Sequence, residues 1–243
     1  MEETLMIMIL SAMATGAGAL PVLLIRRVSH RKMDSILAYT AGVMMAASTY
    51  GLIPASLKLT NVTVLCIGVL GGALILNLLE YLLPHVDMDH TRKSPVLPHQ
   101  SLMLVAAMTL HNIPEGLSVG ASLASQVEHL GMVVAFSMGL QNAPEGFLVA
   151  LFLLHQNVSR RTALFMAVLT GGIECVSSFI GFYVVHISLF LVPYGLAFAA
   201  GAMLFIVYKE LIPETHGHGY ERLATFSFLL GLLSMIGIVE WFR

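Results

Sequence analysis

The sequence predicts an all-α integral membrane protein of eight transmembrane helices built around an inverted repeat, and three observations predict it. Of 243 residues, 57% are hydrophobic and 11% charged, with a mean hydropathy of +0.85. A soluble domain must cover its surface and carries ~25% charge. The apolar residues also gather in blocks of about twenty, the length that spans ~30 Å of hydrocarbon at 1.5 Å per residue. Finally, one segment of the chain recurs later in the sequence, running in the opposite direction across the membrane.

The spans fall near residues 4–25, 34–57, 61–83, 101–123, 130–154, 162–185, 188–212 and 223–242, forming one transmembrane domain over 1–243. The chain opens Met-Glu-Glu and not with the basic segment of a cleavable signal peptide, so the first block is expected to be retained. Eight spans put both termini on one side. With the links after spans 1, 3, 5 and 7 in the cytoplasm, they and their flanks hold Arg26, Arg27, Arg31, Lys32, Arg92, Lys93, Arg160, Arg161, Lys209 and Arg222. The other face keeps Lys58 and Arg243. The positive-inside bias therefore places both termini outside the cytoplasm. Short links favour a prokaryotic plasma membrane. Cys66 and Cys175 both lie in apolar blocks, which argues against a disulfide framework. With a net charge of −2 and no long basic run, nucleic acid is not an expected partner.

The longest link, 84–100, is rich in proline and charge and predicts a flexible cytoplasmic loop. Its His85, Asp87, Asp89, His90 and His99 suit a borderline metal, and a solvated loop with scattered histidines reads equally well. His216 and His218 form a smaller cluster with the same two readings. Residues 41–56 align without gaps on 200–215 at an offset of 159, with six identities in sixteen and a shared Leu-Ile-Pro. One segment runs outward and the other inward, which is the mark of an inverted-topology repeat. The methionines read as packing residues, except that Met44 and Met203 are set apart by their matched positions in the repeat.

Chemistry concentrates in the middle of three spans. Span 4 contains His111-Asn112-Ile113-Pro114-Glu115-Gly116, and span 5 contains Gln141-Asn142-Ala143-Pro144-Glu145-Gly146. The two share the frame x-N-x-P-E-G, and both lie about ten residues into their spans, or ~15 Å at helical rise. Span 6 adds Glu174 at similar depth. An ionised side chain there costs ~2.5–3.5 kcal/mol even on the lenient insertion scale. No Lys or Arg lies at that depth in any span, which leaves protons or a metal ion as compensation. His111 and Glu115 are four residues apart and share a helix face, as do Gln141 and Glu145. Asn112 and Asn142 are turned by about 100° and could serve a neighbouring site. Pro114 and Pro144 each remove a helical hydrogen bond and predict a kinked or broken helix there.

The doubled frame and Glu174 resemble the ZIP (Zrt-, Irt-like) family of divalent metal transporters, and the short loops and Glu-Leu-Ile-Pro-Glu segment resemble its prokaryotic GufA-like branch. The resemblance covers essentially the whole chain. It implies a ZIP-like fold and a binuclear site, with His111, Glu115, Gln141 and Glu145 around one metal. Asn112, Glu115, Asn142, Glu145 and Glu174 would surround the other, so that Glu115 and Glu145 bridge. It further implies transport toward the cytoplasm, in which spans 1, 4, 5 and 6 move against spans 2, 3, 7 and 8, and a homodimer. The metal is substrate; no cofactor is expected. Two residues depart from the family pattern. Relatives often carry Asp at Asn142, and a His next to the Glu near the inner end of span 7, where this chain has Lys209-Glu210. A cation at Lys209 could pair with Glu210, and no exit site is carried over.

Mixed imidazole, carboxylate and amide donors suit Zn²⁺, Fe²⁺, Mn²⁺ or Cd²⁺, and the resemblance puts zinc first. A membrane-embedded zinc hydrolase is the enzymatic alternative, but it would want several histidines around an activated water. Only His111 lies at mid-depth, since His186 is at the outer end of span 6. A metal-gated channel or sensor is the third reading, against which the inverted repeat favours a carrier.

Overall fold

In lipid, backbone N–H and C=O groups must find partners within the chain, so an apolar block of twenty residues folds as a helix. The structure, a computed structural model, describes residues 2–24, 28–82, 97–125, 127 and 129–241. Eight helices follow in order: α1 (Glu2–Leu23), α2 (His30–Leu59), α3 (Val62–Leu82), α4 (Leu97–Ala124), α5 (Leu130–His155), α6 (Arg160–Ile187), α7 (Leu189–Glu214) and α8 (Glu221–Trp241). Among the described residues there is no strand. His85, Asp87, Asp89 and His90 of the predicted loop, and the side chain of His99, lie outside what is described. Cys66 and Cys175 are free thiols.

Six of these helices are long and apolar enough to cross a membrane on composition alone. The other two, α4 and α5, carry the x-N-x-P-E-G frames, whose polar residues lower their hydropathy. They are tolerated because the bundle surrounds them. By contrast α3 is largely open to its surroundings, with Leu70, Leu74 and Leu78 exposed along one side.

Pro114 and Pro144 each sit inside an unbroken run of α-helix, so neither proline breaks its helix. The irregular turns lie elsewhere. α2 contains a π-helical segment at Ala47–Leu52 just before Pro54, and α7 contains one at Val207–Leu211 just before Pro213. A proline ring clashes with the carbonyl four residues earlier, and a wider π-turn relieves that clash while rotating the side chains that follow.

These two π-turns occupy matching places in the repeat. The correspondence also extends beyond the aligned segments, because α3 and α8 begin and end at the same offset of 159, from Val62 to Glu221 and from Leu82 to Trp241. Packing repeats as well. α2 packs on α8, and α7 on α3. In the first pair Gly42 rests on the carbonyl of Phe228 and Gly231 on that of Tyr39; in the second, Gly201 rests on Val69 and Gly72 on Phe198. Small residues let backbones approach where lipid supplies no hydrophobic drive.

Packing divides the bundle in two. α1, α4, α5 and α6 pack chiefly on one another, as do α2, α3, α7 and α8. The main bridges between the groups are α4 to α7 and α2 to α5.

Candidate metal centre

Glycine in each x-N-x-P-E-G frame explains how the frame meets its neighbours. A Cβ on Gly116 would run into the Glu174 carbonyl and the Ser177 hydroxyl on α6. A Cβ on Gly146 would run into the Thr15 carbonyl on α1. The two helices thus press their frames against α6 and α1, one residue after the glutamates. Thr15 and Glu174 are themselves 159 residues apart, the offset of the repeat.

His111, Asn112, Glu115, Gln141, Asn142, Glu145 and Glu174 are all buried, none more than 6% exposed. The structure joins them in two sets. Gln141 Nε2 donates a short hydrogen bond to Glu115 Oε1. Asn142 Nδ2 donates to both carboxylate oxygens of Glu174, at 2.8 and 2.7 Å, and lies 3.1 Å from the Ser11 carbonyl. Ser11 Oγ donates to Glu174 Oε1 at 3.4 Å. Glu115 stands within electrostatic reach of Glu145 and Glu174, and Glu145 within reach of His111. The backbone is tied down as well: Ser118 donates to the Glu115 carbonyl, and Ser177 and Ser178 donate to that of Glu174.

What remains is a surplus of acceptors. Asn112 Oδ1, Glu115 Oε2, Gln141 Oε1, Asn142 Oδ1 and both carboxylate oxygens of Glu145 are buried without a hydrogen-bond partner. Leaving one such group unpaired costs about 1–3 kcal/mol, more when charged. Six oxygens in one region, all of them electron-pair donors, are what a cation satisfies and a further hydrogen-bond acceptor cannot. Among the described residues, no three His, Cys, Asp or Glu side chains converge as a finished metal shell. Gln141 and Asn142 turn their NH₂ ends toward Glu115 and Glu174. Rotating either amide by half a turn exchanges donors for an acceptor oxygen in nearly the same shape.

Two participants escape a reading by spacing alone. Ser11 is one polar residue in the apolar block of α1, and only the packing of α1 on α5 and α6 sets it beside Glu174. Glu210 lies in the π-turn of α7, and its Oε2 is 3.2 Å from His111 Nε2. Its signal was the repeat itself, which marks this stretch as structurally special. Lys209 places its ammonium 5.0 Å from the centroid of the Phe205 ring.

An all-helical membrane bundle with carboxylates, amides and an imidazole sealed at the middle of its helices has the make-up of an ion-transporting membrane protein. A sequence profile of the ZIP Zinc transporter family matches residues 87–239. The chain is 37% identical over 236 residues to zinc transporter GufA of Myxococcus xanthus, covering 93% of each protein. It is 32% identical over 237 residues to zinc transporter ZIPB of Bordetella bronchiseptica, covering 92% of this chain and 76% of that one. It is 28% identical over 255 residues to zinc transporter ZupT of Chlorobium luteolum, covering 96% of each. The chain belongs to the ZIP family of metal transporters, in its prokaryotic branch.

Proposed function

We propose that the chain carries divalent metal ions, zinc foremost and cadmium, iron or manganese as competitors, across the membrane toward the cytoplasm. The observation that carries this is the set of buried, unpartnered oxygens contributed by Asn112, Glu115, Gln141, Asn142 and Glu145. Binding a dication would compensate them, and the paired carboxylates are suited to hold two. In the binuclear form, His111, Glu115, Gln141 and Glu145 take one ion. Asn112, Glu115, Asn142, Glu145 and Glu174 take the other. The amides of Gln141 and Asn142 turn their oxygens inward as the metal enters. Asn142, in place of an aspartate, leaves the second site with one negative charge fewer, so it fills after the first.

The basic residues that flank the links after α1, α3, α5 and α7 support an orientation with both termini outside a prokaryotic plasma membrane. The division of packing between α1, α4, α5, α6 and α2, α3, α7, α8 supports a carrier whose first group moves against the second, and the family's dimer is adopted with it. A hydrolase would need more imidazole ligands than His111 supplies to this cluster.

The test is uptake of Zn²⁺ into proteoliposomes, with Cd²⁺, Fe²⁺ and Mn²⁺ competing. Uptake saturates with metal, and Glu115→Ala and Glu145→Ala each abolish it while the protein remains folded and inserted. Near-normal uptake by either variant would sink the binuclear site, and non-saturating flux would favour a channel.

A further inference from the structure

A second group of metal-binding side chains lies at the end of the bundle where α2 begins and α7 ends. Asp34 is 2% exposed on the inner side of α2. Its Oδ1 accepts from Nδ1 of His218 at 3.1 Å, and its Oδ2 is buried without a partner. His218 lies in the link between α7 and α8, and its ring stacks on that of His30 with centroids 4.5 Å apart and planes at 29°. His30 precedes Asp34 by four residues, one helical turn, so both occupy the same side of α2. The neighbouring Arg31 and Lys32 are exposed.

We propose that His30 and His218 form a divalent transition-metal site at this end of the bundle, with Asp34 as the residue that orients it. A histidine that gives its Nδ1–H to a carboxylate is fixed in the tautomer whose Nε2 lone pair is free to ligate, and the carboxylate makes that nitrogen a stronger donor. Asp34 does this for His218 from a buried position. Its second oxygen, without a hydrogen bond, leaves negative charge that a nearby cation offsets. Zinc binds imidazole at ~2.0–2.1 Å, which sets two ligating nitrogens roughly 3.4 Å apart. The stacked rings reach that separation by tilting. Gly217 and Gly219 flank His218, with open space around each and Gly219 at φ +82°, so the link permits the tilt without moving a helix. Water completes the shell, as suits an ion held briefly at a surface. The site does not depend on the buried cluster or on the direction of transport.

The experiment is carbethoxylation of the full chain in detergent micelles, mapped by mass spectrometry across a Zn²⁺ titration, with His129 and His186 as exposed controls. Zinc is expected to slow modification of His30 and His218 at least tenfold, leaving the controls unchanged. Asp34→Asn is expected to raise the zinc concentration needed by at least tenfold. The double variant Glu115→Gln/Glu145→Gln keeps the protection, which separates this site from the buried one even if uptake is lost. Absence of protection at both histidines, equal protection in Asp34→Asn, or loss of protection in the double variant would each overturn the proposal. Protection that follows pH and ignores Zn²⁺ would overturn it too, leaving a proton-responsive contact in its place.

Discussion

Placing a carboxylate at position 142 gives the most direct measure of whether metal sits between α5 and α6. In the structure Asn142 donates to both oxygens of Glu174, at 2.8 and 2.7 Å. Asn142→Asp removes those bonds to a charged group, worth about 2 kcal/mol together when shared by one amide. It also sets two carboxylates about 4 Å apart, a repulsion of about 4 kcal/mol at an effective dielectric of ~20. A proton shared by the pair relieves part of this in the metal-free protein. Zn²⁺ relieves all of it and gains an anionic ligand. The stabilisation conferred by zinc should therefore exceed that of the wild type by about 2–3 kcal/mol, or roughly 30- to 150-fold in affinity. Thermal unfolding of nanodisc-embedded protein across a zinc titration measures both quantities. A lower melting temperature without metal and a larger zinc-induced rise are expected. A zinc-induced rise equal to or below that of the wild type would refute the placement of a metal against Asn142 and Glu174.

Three further outcomes are expected. In the proposed site metal and protons would compete for Glu115, Glu145 and Glu174, so zinc affinity should fall as pH drops; calorimetry in two buffers of different ionisation enthalpy should count more than one proton released per metal pair, and fewer for Glu174→Gln. Gly146→Ala forces a methyl group against the Thr15 carbonyl of α1 and should cost about 1–3 kcal/mol by overpacking, with a melting temperature lowered and zinc uptake slowed; Gly237→Ala, where a Cβ meets nothing within 4 Å, should leave both unchanged. Joint replacement of His85 and His90, before α4, and of His99, in its first turn, should alter uptake by a modest factor, because these side chains can concentrate metal but cannot open a path through hydrocarbon; complete loss of flux at normal expression would show them to be a required step.

The parts of this protein legible in its sequence are those governed by depth in an apolar medium. Helix number follows from the length of apolar blocks, and Glu115, Glu145 and Glu174 are conspicuous because an ionisable group inside such a block needs compensation. The repeat was legible from six matched residues, and the shared π-turns and the matched ends of α3 and α8 extend it. Three features are not. Pro114 and Pro144 suggest kinked or broken helices; α4 and α5 run unbroken through them, and the wide turns precede Pro54 and Pro213. Local sequence does not distinguish the two cases, because surrounding helices decide whether a lost hydrogen bond is tolerated or relieved. Glu210 was assigned to the end of a span, since spacing along α7 says nothing of what α4 presents to it. His30, Asp34 and His218 likewise come together only through the packing of α2 beside the end of α7.

The contact between His111 and Glu210 carries a thermodynamic consequence for a carrier. It crosses one of the two bridges between the helix groups, joining α4 to α7 at 3.2 Å. In the proposed site His111 is also a ligand, so an arriving cation and Glu210 draw on the same imidazole. Linkage is reciprocal: whatever the contact subtracts from metal affinity, bound metal subtracts from the contact. In the proposed carrier, the empty state would then be the one whose two groups hold each other most firmly, and taking on cargo would loosen them.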